Sequence, residues 1–173
     1  MSDDNGNTWK AMSLGGLQAW DVTELYFSNA GNQIYAYANE ELHQSADSGA
    51  SWKRLTDRTI SGMVIHPQNT ENPFLTSVDG SLWQFDLRGT TTLMVKPSFA
   101  SPVINSLALD PNHPDTVYAG TDSGAYISFD FGKTWSEINN GLTDTMVIYS
   151  IIVDKDSNTY AATPNGIFQL ERK

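Results

Sequence analysis

The stretch that decides the fold reads Ser128-Phe-Asp130-Phe-Gly132-Lys-Thr134-Trp135, or S-x-D-x-G-x-T-W in general form. Short polar side chains in this order hydrogen-bond to the neighbouring backbone, and glycine accepts a positive φ, so the segment predicts a tight turn. The tryptophan begins the next strand, where its ring can pack under the turn while its N–H finds an acceptor. Residues 2–9 repeat the pattern, and residues 45–52 repeat it with Ser for Thr. The residues to which this structural role is assigned are Ser2, Asp4, Gly6, Trp9, Ser45, Asp47, Gly49, Trp52, Ser128, Asp130, Gly132 and Trp135.

Four runs of alternating apolar residues recur along the chain, centred on Leu25, Met63, Leu107 and Ile151, which lie 38, 44 and 44 residues apart. A second run, marked by an aromatic residue, follows each of them, and a third follows a glycine-containing turn in three of the repeats. Four short strands in each repeat of roughly 42 residues predict an all-β array. Repeats of this length with four strands each are typical of β-propeller blades.

The motif resembles the Asp-box, or bacterial neuraminidase repeat (BNR), of β-propeller proteins such as sialidases, xyloglucanases, sortilin-type domains and photosystem II assembly factors. The resemblance covers essentially the whole chain and implies a single domain, residues 1–173, folded as a small all-β propeller of about four four-stranded antiparallel blades. In the second repeat the Asp-box is eroded: Asp86 is retained and Thr91 replaces the tryptophan, so a looser turn is expected. The expected blades are residues 18–57, 58–99, 100–143, and 144–173 together with 1–17.

The two ends of the chain complement each other. The fourth repeat contains no Asp-box and no fourth strand, whereas the N-terminus has both with no blade before them. We therefore expect Trp9–Met12 to pair with the strand at Gly166–Leu170 and to close a four-bladed ring within one chain. Such closure removes the open sheet edges that would otherwise aggregate. Exchange of this strand between two chains, giving an eight-bladed homodimer, is one alternative, and a segment cut from a longer propeller is another.

The amino-acid composition limits the classes of partner that the chain can be expected to bind. The 173 residues include 10 Lys and Arg against 20 Asp and Glu, for a net charge of −10. Such a surface repels phosphate backbones and anionic lipid headgroups, which argues against nucleic acid and membrane surfaces as partners. No apolar run approaches the roughly 18 residues of a membrane span. The polar, acidic N-terminus does not resemble a signal peptide, so the compartment stays open, extracytoplasmic if a signal peptide has been removed.

The resemblance to sialidases and xyloglucanases raises an enzymatic interpretation. The sialidase resemblance implies an arginine cluster for the substrate carboxylate, but the chain has four arginines, scattered at Arg54, Arg58, Arg88 and Arg172. The xyloglucanase resemblance implies two carboxylates flanking a cleft between two large propellers, and one small propeller offers no such cleft. No catalytic residue is assigned. The sequence favours a non-catalytic binding or scaffold module for a protein or a glycan, with a fragment or relative of a propeller glycoside hydrolase as the alternative.

Metal and cofactor sites are not predicted. Asp154-x-Asp156-x-Asn158 is similar to the start of a Ca²⁺ loop, but Thr159 stands where that loop requires Gly and Asn165 stands where it requires Glu. A polar hairpin turn is the preferred interpretation, and weak calcium binding near Asp154 and Asp156 is left open. The chain has no cysteine and three histidines, in separate repeats without ligand spacing.

A ligand-binding face is predicted at the entry to the first strand of each repeat, where propellers line their central opening. Thr23, Ser61, Asn105 and Tyr149 occupy this position in the four repeats, and Trp20 lies in the loop that leads into the first of them. Loops held by a rigid scaffold are the usual location of binding residues. Packing of Trp20 between blades is the alternative role for that residue.

Overall fold

A computed structural model describes residues 5–9, 11, 22–27, 33–56, 59–65, 73–85, 91–95, 103–142 and 147–171; for residues 85 and 91–95 it describes the backbone alone. These residues form fifteen strands in four antiparallel sheets and no helix, which confirms the predicted all-β class. The first sheet consists of β1 (Val22–Phe27), β2 (Ile34–Ala38), β3 (Glu41–Ser45) and β4 (Lys53–Thr56). The second consists of β5 (Ile60–Val64), β6 (Phe74–Ser77), β7 (Leu82–Phe85) and β8 (Thr91–Val95). The third consists of β9 (Ile104–Leu109), β10 (Val117–Thr121), β11 (Gly124–Ser128) and β12 (Ser136–Glu137), and the fourth of β13 (Ser150–Val153), β14 (Thr159–Thr163) and β15 (Gly166–Gln169).

Within every sheet, neighbouring strands are neighbours in sequence. The chain divides into two compact units, residues 1–58 with the first sheet and residues 59–173 with the other three. In the second unit, β9 contacts both β5 and β13, so the three sheets follow one another through their first strands. Up-and-down sheets joined in this manner are the blades of a propeller.

The register of the strands repeats from sheet to sheet, and it aligns the apolar positions that the sequence repeat predicted. One layer of each sheet contains a large residue on the first strand, a small or aliphatic residue on the second, and an aromatic residue or histidine on the third. The layers are Leu25–Ala36–His43, Met63–Leu75–Trp83, Leu107–Ala119–Tyr126 and Ile151–Ala161–Phe168. The repeat in sequence is therefore a repeat in structure.

The core of the second unit lies between consecutive sheets. Between the second and third sheets, Phe74 and Leu82 pack with Leu109 and Val117. Between the third and fourth sheets, a larger cluster contains Ala108, Tyr118, Ala125, Ile127, Ile148, Ile151 and Ala161. Because the side chains of one strand alternate between the two faces, each sheet contributes one set of residues to each interface.

The Asp-box of the third sheet is a closed set of short hydrogen bonds. The Ser128 hydroxyl donates to Asp130 Oδ1 at 2.8 Å and accepts the Gly132 N–H at 2.8 Å. The carboxylate of Asp130 accepts the Thr134 N–H at 2.8 Å and the Thr134 hydroxyl at 2.6 Å. The Trp135 indole N–H donates to the Gly132 carbonyl at 2.9 Å, which holds the ring under the turn.

The Asp-box of the first sheet has the same bonds. Gly49 N–H donates to Ser45 Oγ at 2.7 Å, and the Ser51 N–H and hydroxyl donate to Asp47 at 2.8 and 2.6 Å. The Trp52 indole donates to the Gly49 carbonyl at 3.1 Å. Serine at position 51 therefore replaces the threonine of the motif without loss of a bond.

Two consecutive left-handed residues form the centre of each turn, and the N-terminal Asp-box has them as well. The φ angles are 58° and 91° at Ser48 and Gly49, 60° and 82° at Phe131 and Gly132, and 58° and 91° at Asn5 and Gly6. Glycine adopts the second of these conformations without steric cost. Ser2 and Asp4 lie outside the described residues.

The carboxylates of the two described Asp-boxes are strongly acidic. The hydrogen bonds from the Ser51 side chain, then from its backbone, lower the pKa of Asp47 to about 2. The side chain and then the backbone of Thr134 lower the pKa of Asp130 to about 2 in the same way. Each aspartate is therefore ionised throughout the physiological range, as an acceptor of several hydrogen bonds should be.

Other predictions about the strands fall partly outside the described residues. Strand β8 is present after the eroded Asp-box, but residues 86–90 are not among the described ones, so the looser turn stays a prediction. The fourth sheet has three strands in the part of the chain that the structure describes. Lys10 and Met12 lie outside that part, so the closing pair Trp9–Met12 with Gly166–Leu170 also stays a prediction.

Replacing the Asp-box tryptophan should destabilise the fold. Trp135 packs against two apolar clusters, so Trp135→Ala should lower the free energy of unfolding by about 3 kcal/mol. Trp52→Ala should have a comparable effect, whereas Thr91→Ala, the matched change in the eroded box, should cost much less. Thermal melts of the three variants measure this. A Trp135→Ala protein that melts within a degree or two of wild type would contradict the packing role.

Candidate functional site

The predicted binding residues of the second unit lie at the entries to neighbouring strands. Ser61 is the second residue of β5, Asn105 is the second residue of β9, and Tyr149 immediately precedes β13. Because β9 contacts both β5 and β13, these positions form one rim of three consecutive sheets. Thr23 has the corresponding position on β1 in the first unit, and Trp20 lies outside the described residues.

Asn105 joins two sheets at this rim. Its amide donates to Asp122 Oδ1 at 2.8 Å and to the Ile148 carbonyl at 3.0 Å. The N–H of Ile148 in turn donates to the Thr121 carbonyl at 2.8 Å. Asn105 therefore positions the segment that leads into β13. Its side chain stabilises the contact between the two sheets, in addition to any contact with a ligand.

The hydroxyls of Ser61 and Thr23 are both engaged within their own sheets. The Ser61 hydroxyl, on the rim of the second unit, donates to Thr76 Oγ1 at 3.0 Å, and the Thr23 hydroxyl, in the first unit, donates to the Tyr37 carbonyl at 3.5 Å. Tyr149 is 59% exposed, and its N–H donates to the Ala162 carbonyl at 2.9 Å. A fixed backbone with an exposed aromatic ring suits a recognition surface, because the ring loses little conformational entropy on binding.

A groove of about 700 Å³ lies between the third and fourth sheets, on the side of the later strands. Its walls combine apolar side chains with the acidic and amide groups of Glu137, Asn140, Gln169 and Glu171. The hydroxyl of Thr159, on the groove wall, is buried and has no hydrogen-bond partner among the described residues. Sequence reasoning missed this groove, because it is formed by residues far apart in the chain. The lining residues are Ala125, Glu137, Ile138, Asn140, Gly141, Leu142, Ile151, Thr159, Ala161, Phe168, Gln169, Leu170 and Glu171.

A buried carboxylate joins the same two sheets at the opposite end of β9. Asp110 is 2% exposed, and its Oδ1 accepts the Ser157 hydroxyl at 2.5 Å and the Asn112 N–H at 2.9 Å. Its Oδ2 lies 3.1 Å from His113 Nδ1. The Asn112 amide also reaches the fourth sheet, through the Lys155 carbonyl at 2.9 Å and the Ser157 hydroxyl at 2.8 Å. The sequence pattern gave no sign of these contacts between sheets.

The pKa of Asp110 results from two opposed effects. Burial, the largest effect, raises the pKa, but the bonds from Ser157, Asn112 and His113 together outweigh it and lower the pKa below its ordinary value of 3.8. The pKa of Asp110 is lower in the folded than in the unfolded protein. Ionised Asp110 therefore contributes its full stabilisation of the fold above the ordinary pKa, and this contribution is lost as the pH falls through the pKa of the folded state. The side chain of His113 is mostly exposed, and its ring contacts this carboxylate.

The segment similar to a calcium loop is a hydrogen-bonded hairpin turn. Asp154 Oδ1 accepts the N–H groups of Asp156 and Asn158 at 2.9 and 2.8 Å, and Oδ2 accepts the Asn158 amide at 2.9 Å. The Asp154 N–H donates to the Asn158 carbonyl at 2.9 Å. The first carboxylate is thus used by the turn itself. In the described ranges, no group of three or more His, Asp or Glu is arranged to hold a metal ion.

Comparison with known proteins was made by sequence and by structure. No protein-family model matches the chain. The chain is 26% identical over 147 residues to the VPS10 domain-containing receptor SorCS3 of Mus musculus, and 20% identical over 148 residues to a xyloglucanase of Hypocrea jecorina (strain QM6a). These alignments cover 79% and 86% of this chain but 12% and 18% of the relatives, so the chain spans less than a fifth of their length.

Solved structures give the same fold. An ancestral GH74 enzyme matches with a TM-score of 0.68 at 18% identity, over 91% of this chain and 23% of that one. The extracellular domain of a putative hybrid two-component system from B. thetaiotaomicron gives 0.70 at 19% identity, over 92% and 22%. Virginiamycin B lyase from Staphylococcus aureus gives 0.63 at 15% identity, over 87% and 55%. At these identities the likeness defines the class by its fold alone: the chain has the β-propeller fold. Among the described residues there is no helix that could span a membrane.

The Asp110 tie should contribute to stability in a pH-dependent manner. Asp110→Asn should lower the free energy of unfolding by about 1–3 kcal/mol at pH 7, because buried donors lose a charged acceptor. The difference from wild type should shrink below pH 4, as the wild-type carboxylate becomes protonated. Asp156→Asn is the matched control, since Asp156 is exposed and its carboxylate pairs with the exposed Lys155. Equal losses in the two variants at pH 7 would refute the role given to Asp110.

Proposed function

We propose that this chain is a non-catalytic β-propeller module that binds a protein or a glycan through the face predicted from the sequence to bear Trp20, Thr23, Ser61, Asn105 and Tyr149. The observation that supports it most is the exposed ring of Tyr149 at the entry to β13, next to an amide that ties the third sheet to the fourth. Asn105 and the strand framework preorganise this rim, and preorganisation lowers the entropic cost of binding.

The contacts of Arg54 give further support for a function other than sialidase activity. Arg54 is bound to Glu41, with Nη1 2.8 Å from Oε1, within the first sheet. It is therefore committed to an ion pair across β3 and β4 rather than presented to a substrate carboxylate. Arg58, Arg88 and Arg172 lie outside the described residues.

A second candidate function is that of a fragment or relative of a propeller glycoside hydrolase. The similarity to a xyloglucanase and to an ancestral GH74 enzyme favours it, although the chain spans 18% and 23% of those proteins. Glu137 and Glu171 on one groove are the type of carboxylate pair that inverting hydrolysis requires. Assays with fluorogenic sialosides and β-glucans decide between the two candidates: turnover that one Asp or Glu substitution abolishes would establish an enzyme.

The architecture proposed for this module has four blades. The fourth is completed by Trp9–Met12 against Gly166–Leu170, either within one chain as a monomer or exchanged between two chains as a homodimer. The acidic surface argues against nucleic acid, and the extracellular domain among the structural neighbours supports an extracytoplasmic location. No cofactor is part of this proposal.

Ligand binding should depend on the rim and not on the Asp-boxes. On glycan arrays and in pull-down experiments, Tyr149→Ala should weaken capture about tenfold or more, as the loss of an aromatic anchor does. Phe129→Ala is the matched control, because Phe129 is an equally exposed aromatic residue, at 66%, within an Asp-box. A folded Asp130→Ala protein should bind normally. Loss of binding in Asp130→Ala with retention in Tyr149→Ala would reject the rim as the site.

A further inference from the structure

Carboxylates without basic neighbours mark the rim of the second unit, at the end of the sheets where β5, β9 and β13 begin. The hairpin turn between β6 and β7 carries Asp79 at this end, and the turn between β10 and β11 carries Asp122. The basic side chains that the structure describes in this unit lie at the opposite end of the strands. They are His113 after β9, Lys133 in the Asp-box turn, and Lys155 after β13. The rim is therefore a surface of one charge sign, as far as its residues are described.

Asp122 presents a carboxylate oxygen to solvent. The residue is exposed, and its Oδ1 accepts the Asn105 amide at 2.8 Å, which holds the carboxylate in position. Within the described residues, Oδ2 accepts no hydrogen bond, and an ionised carboxylate has room for several donors. The corresponding turn of the second sheet differs, because both oxygens of Asp79 accept from Ser81, its N–H and its hydroxyl, at 3.0 Å each. Asp122 is thus the rim carboxylate with the greater capacity for an outside donor.

One amide nitrogen joins this carboxylate to the exposed tyrosine of the rim. Asn105 Nδ2 donates both to Asp122 Oδ1 and to the carbonyl of Ile148, at 2.8 and 3.0 Å. Ile148 is bonded to Tyr149, whose side chain is 59% exposed. A carboxylate from the third sheet and an aromatic residue at the entry to the fourth are therefore neighbours on one face.

The backbone that carries the tyrosine is fixed on both sides. Ile148 is fully buried, and its N–H donates to the Thr121 carbonyl at 2.8 Å. It packs so closely on the third sheet that a Cβ added to Gly120 would be 2.6 Å from Ile148 Cγ2. The Tyr149 N–H donates to the Ala162 carbonyl at 2.9 Å. A ligand that uses this ring consequently has little backbone entropy to remove.

We propose that Asp122 and Tyr149 bind a basic side chain, that of an arginine, in an exposed segment of a partner protein. A guanidinium group donates in a fork to a carboxylate and stacks on an aromatic face, so it matches both groups at once. The net charge of −10 attracts such a segment from a distance. The inference rests on the binding face of the proposed function and specifies its partner. The one-sided charge of the rim favours a basic protein segment over a neutral glycan.

A titration of the full 173-residue chain with a short peptide tests the chemistry. The peptide is Gly-Ser-Arg-Ser-Gly, blocked at both ends so that arginine supplies its single charge. The NMR shifts of the Tyr149 and Ser123 amides should change with a millimolar dissociation constant, because a single exposed side chain is held. The same peptide with citrulline, an uncharged analogue of arginine, should leave these amides unshifted. Equal shifts from the citrulline peptide, or none from the arginine peptide well above millimolar concentration, would overturn the proposal.

A charge-matched pair of variants separates the site from general attraction to an acidic protein. Asp122→Asn keeps an oxygen for the Asn105 amide but removes the charge, so it should raise the dissociation constant of the arginine peptide about threefold or more. Asp156→Asn makes the same change of charge at the opposite end, where Asp156 pairs with Lys155, and should leave the constant unchanged. Equal weakening in the two variants would reject the site.

The aromatic half of the site has its own matched pair. Tyr149→Leu keeps an apolar side chain but removes the ring, so it should raise the dissociation constant about threefold. Phe129→Leu is the control, because Phe129 is exposed to 66% and lies at the opposite end, in the Asp-box turn. A folded Tyr149→Leu protein with the wild-type constant would exclude the ring from the site.

A neutral β-glucan oligosaccharide distinguishes the partner from the site. If the oligosaccharide shifts the Tyr149 and Ser123 amides and the arginine peptide does not, the face binds glycan; this inference then fails while the proposed function stands. If neither shifts them, and a ligand found on arrays or in pull-downs is retained by Tyr149→Ala, the proposed function fails as well.

Discussion

The arrangement of the third sheet is organised by one ionised carboxylate in a turn. In the third sheet, Asp130 fixes the Thr134 backbone and side chain, while Ser128 fixes Asp130 and the Gly132 N–H. These bonds satisfy backbone donors that a tight turn would otherwise leave to water, and they hold two left-handed residues in place. The following tryptophan then enters the adjoining interface at a fixed position. The turn, the strand after it and the packing between sheets therefore have a common origin.

The space between consecutive sheets is the second constraint. Small residues such as Ala119 and Ala161 occur on the middle strands, and larger ones surround them, so that a ring from the Asp-box can fit. At the two ends of β9 the third and fourth sheets are also tied by polar groups, Asn105 at one end and Asp110 at the other. Apolar packing brings the third and fourth sheets together. The hydrogen bonds of Asn105 and Asp110 have specific partners, so they determine how the two sheets align.

The sequence predicted the four sheets, the strand order and the repeated positions, because period-two patterns and turn motifs act locally. Of the predicted binding residues, Ser61 and Asn105 are the second residues of β5 and β9 and Tyr149 immediately precedes β13, and their role in binding stays a prediction. The sequence could not show that Asn105 is held by Ile148 or that Asp110 is held by Ser157, since these contacts span 43 and 47 residues. The groove was also beyond it, because its lining comes from two sheets and from residues far apart in the chain.

Native-state hydrogen exchange tests the central role of the Asp-box most directly. The N–H groups of Gly132 and Thr134 are bonded to Ser128 and Asp130, on a surface turn where exchange would otherwise be fast. If the box supports the sheet, these amides should exchange only when the third sheet opens, at rates similar to those of the paired β10 and β11 amides. Exchange of Gly132 and Thr134 at the rate of an unprotected loop, with β10 and β11 still protected, would contradict the account.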